Sequence, residues 1–163
     1  MLEVWRGLPD VGPLPWNEAY WAPEPNALAV RRLNQPFEIP VEAIDVSGFA
    51  PPRVDEAWLL SRVTEHGALV AGRLRDGRLE ASQVFVRLPD VVGPCPLLHL
   101  ACGKRVETFE RDTDRCLVPT GCVQRQLCPE MIPGCAPGYV LATWPSEPGA
   151  CLAFACDPGF LPR

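Results

Sequence analysis

Between residues 68 and 88 the chain reads "ALVAGRLRDGRLEASQVFVRL": two apolar-rich runs about a central "RDGR". Asp-Gly is a pair that supplies the positive φ values a two-residue hairpin turn needs, so the pattern predicts a β-hairpin turning at Asp76-Gly77. Upstream, "FEIPVEAIDVSG" (37–48) alternates Phe37, Ile39, Val41 and Ala43 with Glu38, Pro40 and Glu42, then shifts at Ile44. A period of two predicts a half-buried strand, and Pro40 puts it at an edge or a bulge. "ALAVRRLN" (27–34) is a short strand flanked by turn residues. "VDEAWLLSRVTEHG" (54–67) predicts the one clear helix, with Ala57, Leu60 and Val63 at helical spacing. Asp55 and Glu56 suit its first turn and Gly67 its end.

The pattern changes after "PDVVGPCP". "LLHLACG", "RVETFE", "GYVLATW" (138–144) and "CLAFAC" (151–156) predict strands, with "RDTDR" and "PSEPGA" as the turns. Residues 116–137 show no sustained period and read as loop held by crosslinks, and no internal repeat is read. The first 25 residues, rich in Pro and Trp, have no helical period. Trp5, Trp16 and Trp21 there predict an arm laid over a core; a carbohydrate-stacking surface is the other reading. The expected fold is mainly β: an N-terminal sheet or small barrel over residues 1–94, and a disulfide-stapled β/loop module over 95–163.

Cysteine usage sharpens that division. Residues 1–94 have none, and all eight lie beyond: Cys95, Cys102, Cys116, Cys122, Cys128, Cys135, Cys151 and Cys156. That density marks a disulfide scaffold, and the even count permits full pairing. Zinc and iron–sulfur sites favour knuckles with two to four residues between cysteines; only Cys151 and Cys156 are that close, and His66 and His99 lie outside the run. Without C-x-x-C there is no thioredoxin-type motif. In "CLVPTGCVQRQLCPEMIPGC" (116–135), Pro and Gly supply turns that spread the sulfurs toward other partners. The expectation is eight paired cysteines, no metal and no cofactor, with a connectivity that spacing does not reveal.

Disulfides of this kind belong to an oxidising compartment, extracellular or periplasmic. The opening "MLEVWRGLPDVGPLPW" contains Glu3 and no apolar leader core, so no signal peptide is read there. The expectation of export therefore rests on the cysteines. The chain has 163 residues and 47 % hydrophobic content, enough for a core, while its 20 prolines limit long helices. Its net charge of −5, with no basic patch in either half, argues against nucleic acid. No apolar run approaches the ~20 residues of a bilayer span.

Along "YWAPEPNALAVRRLNQP…VEAIDVSG…ALVAGRL", roughly residues 18–88, the chain resembles an uncharacterised family of exported bacterial domains. That family has an "RRLN" strand, a "V-x-x-I-D-x-S-G" strand and an "LV-x-G-x-L" strand in this order. The resemblance implies export and β architecture, and no activity. Members carry cysteines inside this region, where this chain has none.

Candidate chemistry is sparse. No G-x-S-x-G, H-E-x-x-H, G-x-G-x-x-G or P-loop pattern occurs. Asp45, Asp55, Glu56, Glu65 and His66 are the polar residues an enzyme on the β-domain would draw on. Cys122 as a nucleophile lacks a nearby His. Arg125, centred between Cys122 and Cys128, is the candidate binding residue: tethered at both ends, it would suit the specificity pocket of a trypsin-like protease. The favoured expectation is a non-enzymatic interaction or structural protein with a protein or cell-surface partner. A protease inhibitor presenting Arg125 and an enzyme of unknown reaction are the alternatives.

Overall fold

The computed structural model describes residues 4–9, 19–49, 52–65, 67–88 and 93–161. The chain divides into two compact units: Met1–Pro51 with Leu59–Val91, and Pro52–Trp58 with Val92–Arg163.

In the first unit, seven strands form one open sheet: β1 (Val4–Gly7), β2 (Ala19–Pro23), β3 (Ala29–Arg32), β4 (Glu38–Pro40), β5 (Ala43–Asp45), β6 (Leu69–Arg75) and β7 (Arg78–Leu88). Their order is β1-β7-β6-β2-β3-β4, and β5 pairs with β7 as the one parallel neighbour. Of the two expected alternatives, sheet and barrel, the described strands form the sheet. The hairpin β6–β7 is its centre, and its turn takes φ of +48° at Asp76 and +75° at Gly77, as a primed turn requires. A bulge interrupts the hairpin between Ala71 and Gly72. A Cβ on Gly72 would lie 2.2 Å from the Glu80 carbonyl oxygen, so only glycine fits there. Val30, Val70, Leu79, Val84 and Val86 are buried and supply the core of this unit.

The single strand expected over 37–48 is two short ones. It breaks at Val41 and Glu42, whose amides donate to the carbonyls of Leu28 and Gly77 rather than to one continuous ladder. Pro40 closes β4 at the edge of the sheet, where a missing N–H costs no ladder bond. Among the described residues of the Trp-rich opening two segments are strands: Trp5 is on β1 and partly exposed, Trp21 is buried on β2 and donates from Nε1 to the Gly72 carbonyl. Trp16 lies outside the described residues.

Helix α1 spans Glu56–Thr64. Asp55 caps it, accepting from the Trp58 amide at 3.0 Å, and Gly67 ends it with φ of +70°, the Ala68 amide turning back onto the Arg62 carbonyl. The buried face is Trp58, Leu59 and Val63, not the Ala57–Leu60–Val63 stripe; Ala57 and Leu60 are exposed. Ser61 and Arg62 are buried beside them, so polar residues within the inward face obscured its phase in the sequence.

In the second unit, β8 (Val106–Arg111) pairs with β9 (Leu117–Val123), and β10 (Tyr139–Ser146) with β11 (Cys151–Pro158). Two expectations fail here. "LLHLACG" forms no strand: its backbone is held by disulfides at Cys95 and Cys102, not by a ladder. Leu117–Val123, expected to be loop, is a strand. Its Pro119 and Gly121 flank a bulge at Thr120 instead of making a turn.

All eight cysteines are bonded: Cys95–Cys116, Cys102–Cys122, Cys128–Cys151 and Cys135–Cys156. In the first group of four, the first cysteine pairs with the third and the second with the fourth. The second group does the same. In each case a segment with two cysteines is stapled to cysteines on, or directly before, the second strand of the hairpin that follows it. The unit is therefore an internal duplication with an offset of about 34 residues, a period typical of repeat units. No repeat was expected from the sequence, because "CLVPTGCVQRQLCPEMIPGC" reads as one run although it holds the end of one repeat and the start of the next. None of its four cysteines bonds to another within it.

Candidate functional site

Two places in the second unit concentrate chemistry: the disulfide-tied connection between the repeats and a buried ion cluster.

The first is the connection between the repeats. Arg125 is exposed, between Cys122, bonded to Cys102, and Cys128, bonded to Cys151. The Gln126 amide donates to the Gly149 carbonyl at 3.0 Å, pinning the middle of the segment to the β10–β11 turn. The approach is close: a Cβ on Gly149 would fall 2.7 Å from that of Gln126. Past the pin the chain turns its apolar side chains outward. Leu127 is fully exposed, Met131 84 % and Ile132 69 %. With Pro129, Leu152 and Phe154, Met131 and Ile132 line a groove of about 450 Å³ that has Arg125 at its margin. Three large apolar side chains are thus exposed together on a segment that a disulfide holds to β11.

The second is a buried ion cluster at the end of β8. Arg111 Nη2 donates to both oxygens of Asp157, at 2.8 and 2.6 Å, and Nε lies 3.6 Å from Asp55. Its guanidinium sits 5.4 Å from the Trp144 ring centroid, and Arg115 approaches Asp157 at 3.5 Å. The side chains of Arg111, Asp55 and Asp157 are 7, 13 and 16 % exposed. Asp112 sets up this corner by accepting the amides of Asp114 and Cys116, which turns the chain from β8 into β9. Sequence reasoning named Asp55 but missed Arg111, Asp157 and Trp144. Arg111 comes from β8, and Trp144 and Asp157 from the two strands of the β10–β11 hairpin.

A lesser contact orders the first cysteine-bearing segment. The Leu100 amide and His99 Nδ1 both donate to Glu107 on β8, and these bonds, the amide first, hold the Glu107 carboxyl below its ordinary value of 4.5. A lowered pKa means that the contact is complete above pH 4.5 and weakens as pH falls through the folded-state value. We expect the Leu100 amide shift to move below pH 4.5 in a titration followed by NMR, and to stay flat in Glu107→Gln. A flat wild-type profile would remove Glu107 as the anchor.

The remaining candidates are occupied locally. Asp45 accepts from the Ser47 hydroxyl and amide and faces Arg78, which together lower its pKa. Asp55 serves α1 and Arg111, Glu56 is exposed in the first turn of α1, and the Ser61 hydroxyl donates to Glu65 at 3.4 Å. His66 lies outside the described residues. Cys122 is disulfide-bonded, which removes it as a nucleophile. Among the described residues, no three His, Cys, Asp or Glu side chains are placed to hold a metal, and no helix is long and apolar enough to cross a membrane.

Fold and site together define a β-rich, cysteine-rich protein stabilised by four disulfides. An uncharacterised protein of Dictyostelium discoideum is 36 % identical to it over 140 residues, covering 81 % of this chain and 44 % of that relative. The match is long enough to reach into both halves of the chain, which spans less than half the relative's length. No protein-family model matches the chain, and no solved structure does.

Proposed function

We propose that this is a non-enzymatic binding protein of an oxidising, extracellular or periplasmic compartment, and that it engages a protein partner through the pinned segment between its two repeats. The observation that carries this reading is the outward display of Leu127, Met131 and Ile132 on backbone fixed by the Cys128–Cys151 bond. A fixed loop loses little conformational freedom on binding, and apolar anchors supply the contact energy. Arg125 at the margin selects a partner surface that sets a carboxylate beside an apolar patch. Four disulfides support the compartment, since such bonds persist where the medium is oxidising.

The test is site-specific photo-crosslinking of the full oxidised chain in its native cells, from position 131 and, as a control, from Arg87 on the exposed face of β7. One product should form from position 131 alone. Unlabelled wild type should compete it away, and a Leu127→Asp/Ile132→Asp chain should compete at least about tenfold less well. Equal products from both positions, or no competition, would remove the reading.

A second reading rests on Arg125 being exposed on a segment tied at both ends: inhibition of a trypsin-like protease, with Arg125 entering the specificity pocket. It requires that the oxidised chain inhibit such a protease and that Arg125→Ala abolish the effect. Cleavage after Arg125 without inhibition rejects it.

A further inference from the structure

The first repeat displays an apolar segment of its own. Residues 94–101 are all exposed, and among them Leu97 is 90 % exposed, Leu98 52 % and Leu100 43 %. A tight turn puts Leu97 at its apex, the Leu98 amide donating to the Pro96 carbonyl at 3.1 Å. The leucines are held outward. Cys95 and Cys102 are bonded to Cys116 and Cys122, and the Leu100 amide donates to Glu107. Lys104 and Arg105 follow directly, both exposed and with no anionic partner among the described residues. The chain as a whole has a net charge of −5, yet from Cys95 to Val106 it carries no acid. The next acid, Glu107, is turned onto the Leu100 amide and His99.

We propose that this face docks on an anionic lipid surface. Leu97, Leu98 and Leu100 enter the boundary between headgroups and acyl chains, and Lys104 and Arg105 meet the headgroup charge. The two cations complement an anionic bilayer, which also attracts them through its surface potential. Composition favours lipid over protein. Protein interfaces are enriched in Met and Arg, whereas Leu is under-represented among their hot spots and Lys is depleted. The second repeat differs in just this respect. Counted from the first cysteine of each segment, Glu130 stands where Leu97 does and Met131 where Leu98 does, with Arg125 nearby. An anionic surface repels Glu130, so the two repeats present faces of different kind. Neither the leucines nor the two cations give firm attachment alone; together they give a reversible one.

The experiment is sedimentation of the full oxidised chain with sucrose-loaded vesicles of phosphatidylcholine, alone or mixed about 3:1 with phosphatidylglycerol. The chain should sediment with the mixed vesicles at an apparent dissociation constant of about 1 mM lipid or tighter. Binding should be at least about tenfold weaker to phosphatidylcholine alone, or in about 0.5 M salt. Leu97→Ser/Leu98→Ser removes apolar surface without changing charge, and should weaken binding to the mixed vesicles at least about tenfold. Leu97→Ser alone serves if the double variant does not fold. Lys104→Gln/Arg105→Gln should cost as much, while Met131→Ser/Ile132→Ser should stay within about twofold of wild type. No sedimentation with mixed vesicles, full binding by the Leu97 variant, or equal loss from the Met131 variant would overturn the proposal. So would a photo-crosslinker at position 97 that captures one protein in place of lipid, which would give this face to a protein partner.

Discussion

Reducing the four disulfides should abolish amide protection across residues 93–161 while much of the seven-stranded sheet stays protected. The two units draw on different sources of stability. The sheet buries Val30, Val70, Leu79, Val84 and Val86 across strands that pair with each other. The cysteine-rich unit has two short hairpins, and the buried side chains of its hairpin strands and turns include Cys116 and Cys156, so the bridges are themselves part of its core. Isolated two-stranded hairpins are marginal in water. Each bridge closes a loop with a sequence separation between 20 and 23 residues. A loop of that length corresponds to about 3 kcal/mol in the chain-entropy account. Removing one bridge, as in Cys128→Ser/Cys151→Ser, should therefore lower the stability of this unit by about 2–4 kcal/mol. Hydrogen exchange with and without reductant, read by mass spectrometry, separates the two units directly. Equal loss of protection in both would mean that they unfold as one interlocked body.

Replacing Arg111 by Met should destabilise the same unit by about 3–5 kcal/mol, the cost of leaving buried charges without their partner. Asp157 would keep the longer contact to Arg115, and Asp55 would lose its contact with Arg111. Arg111→Lys keeps the charge but cannot hold both acids with a planar fork, so its loss should be intermediate. Denaturant unfolding followed through amides of β8 and β10 gives the number. A loss below about 1 kcal/mol would mean that the cluster behaves as a solvated surface pair.

Much of the first unit was legible in the sequence because its signals are local. Asp76-Gly77 announced the central hairpin, and Pro40 the edge. The helix was legible in extent but not in phase, since its inward face includes Ser61 and Arg62. In the second unit local signals misled. Pro119 and Gly121 read as turn formers, yet a bulge absorbs both within β9. The duplication was present in the spacing of all eight cysteines, but it disappears when the four central ones are read as a group. The Arg111 cluster had no sequence signal at all. Asp55 precedes α1, Arg111 ends β8, and Trp144 and Asp157 share the β10–β11 hairpin, so only the packing of these elements within the second unit makes them neighbours.

The bridges never cross from one repeat to the other, and this constrains how the protein is made. A chain oxidised as it emerges can complete Cys95–Cys116 and Cys102–Cys122 before Cys128 appears. Eight thiols presented together would have on the order of a hundred ways to combine, whereas four at a time have a handful. The order of synthesis thus narrows the search. What remains is to avoid joining neighbours such as Cys95 and Cys102, and formation of the β8–β9 hairpin accomplishes that by presenting Cys116 directly before β9 and Cys122 near its end.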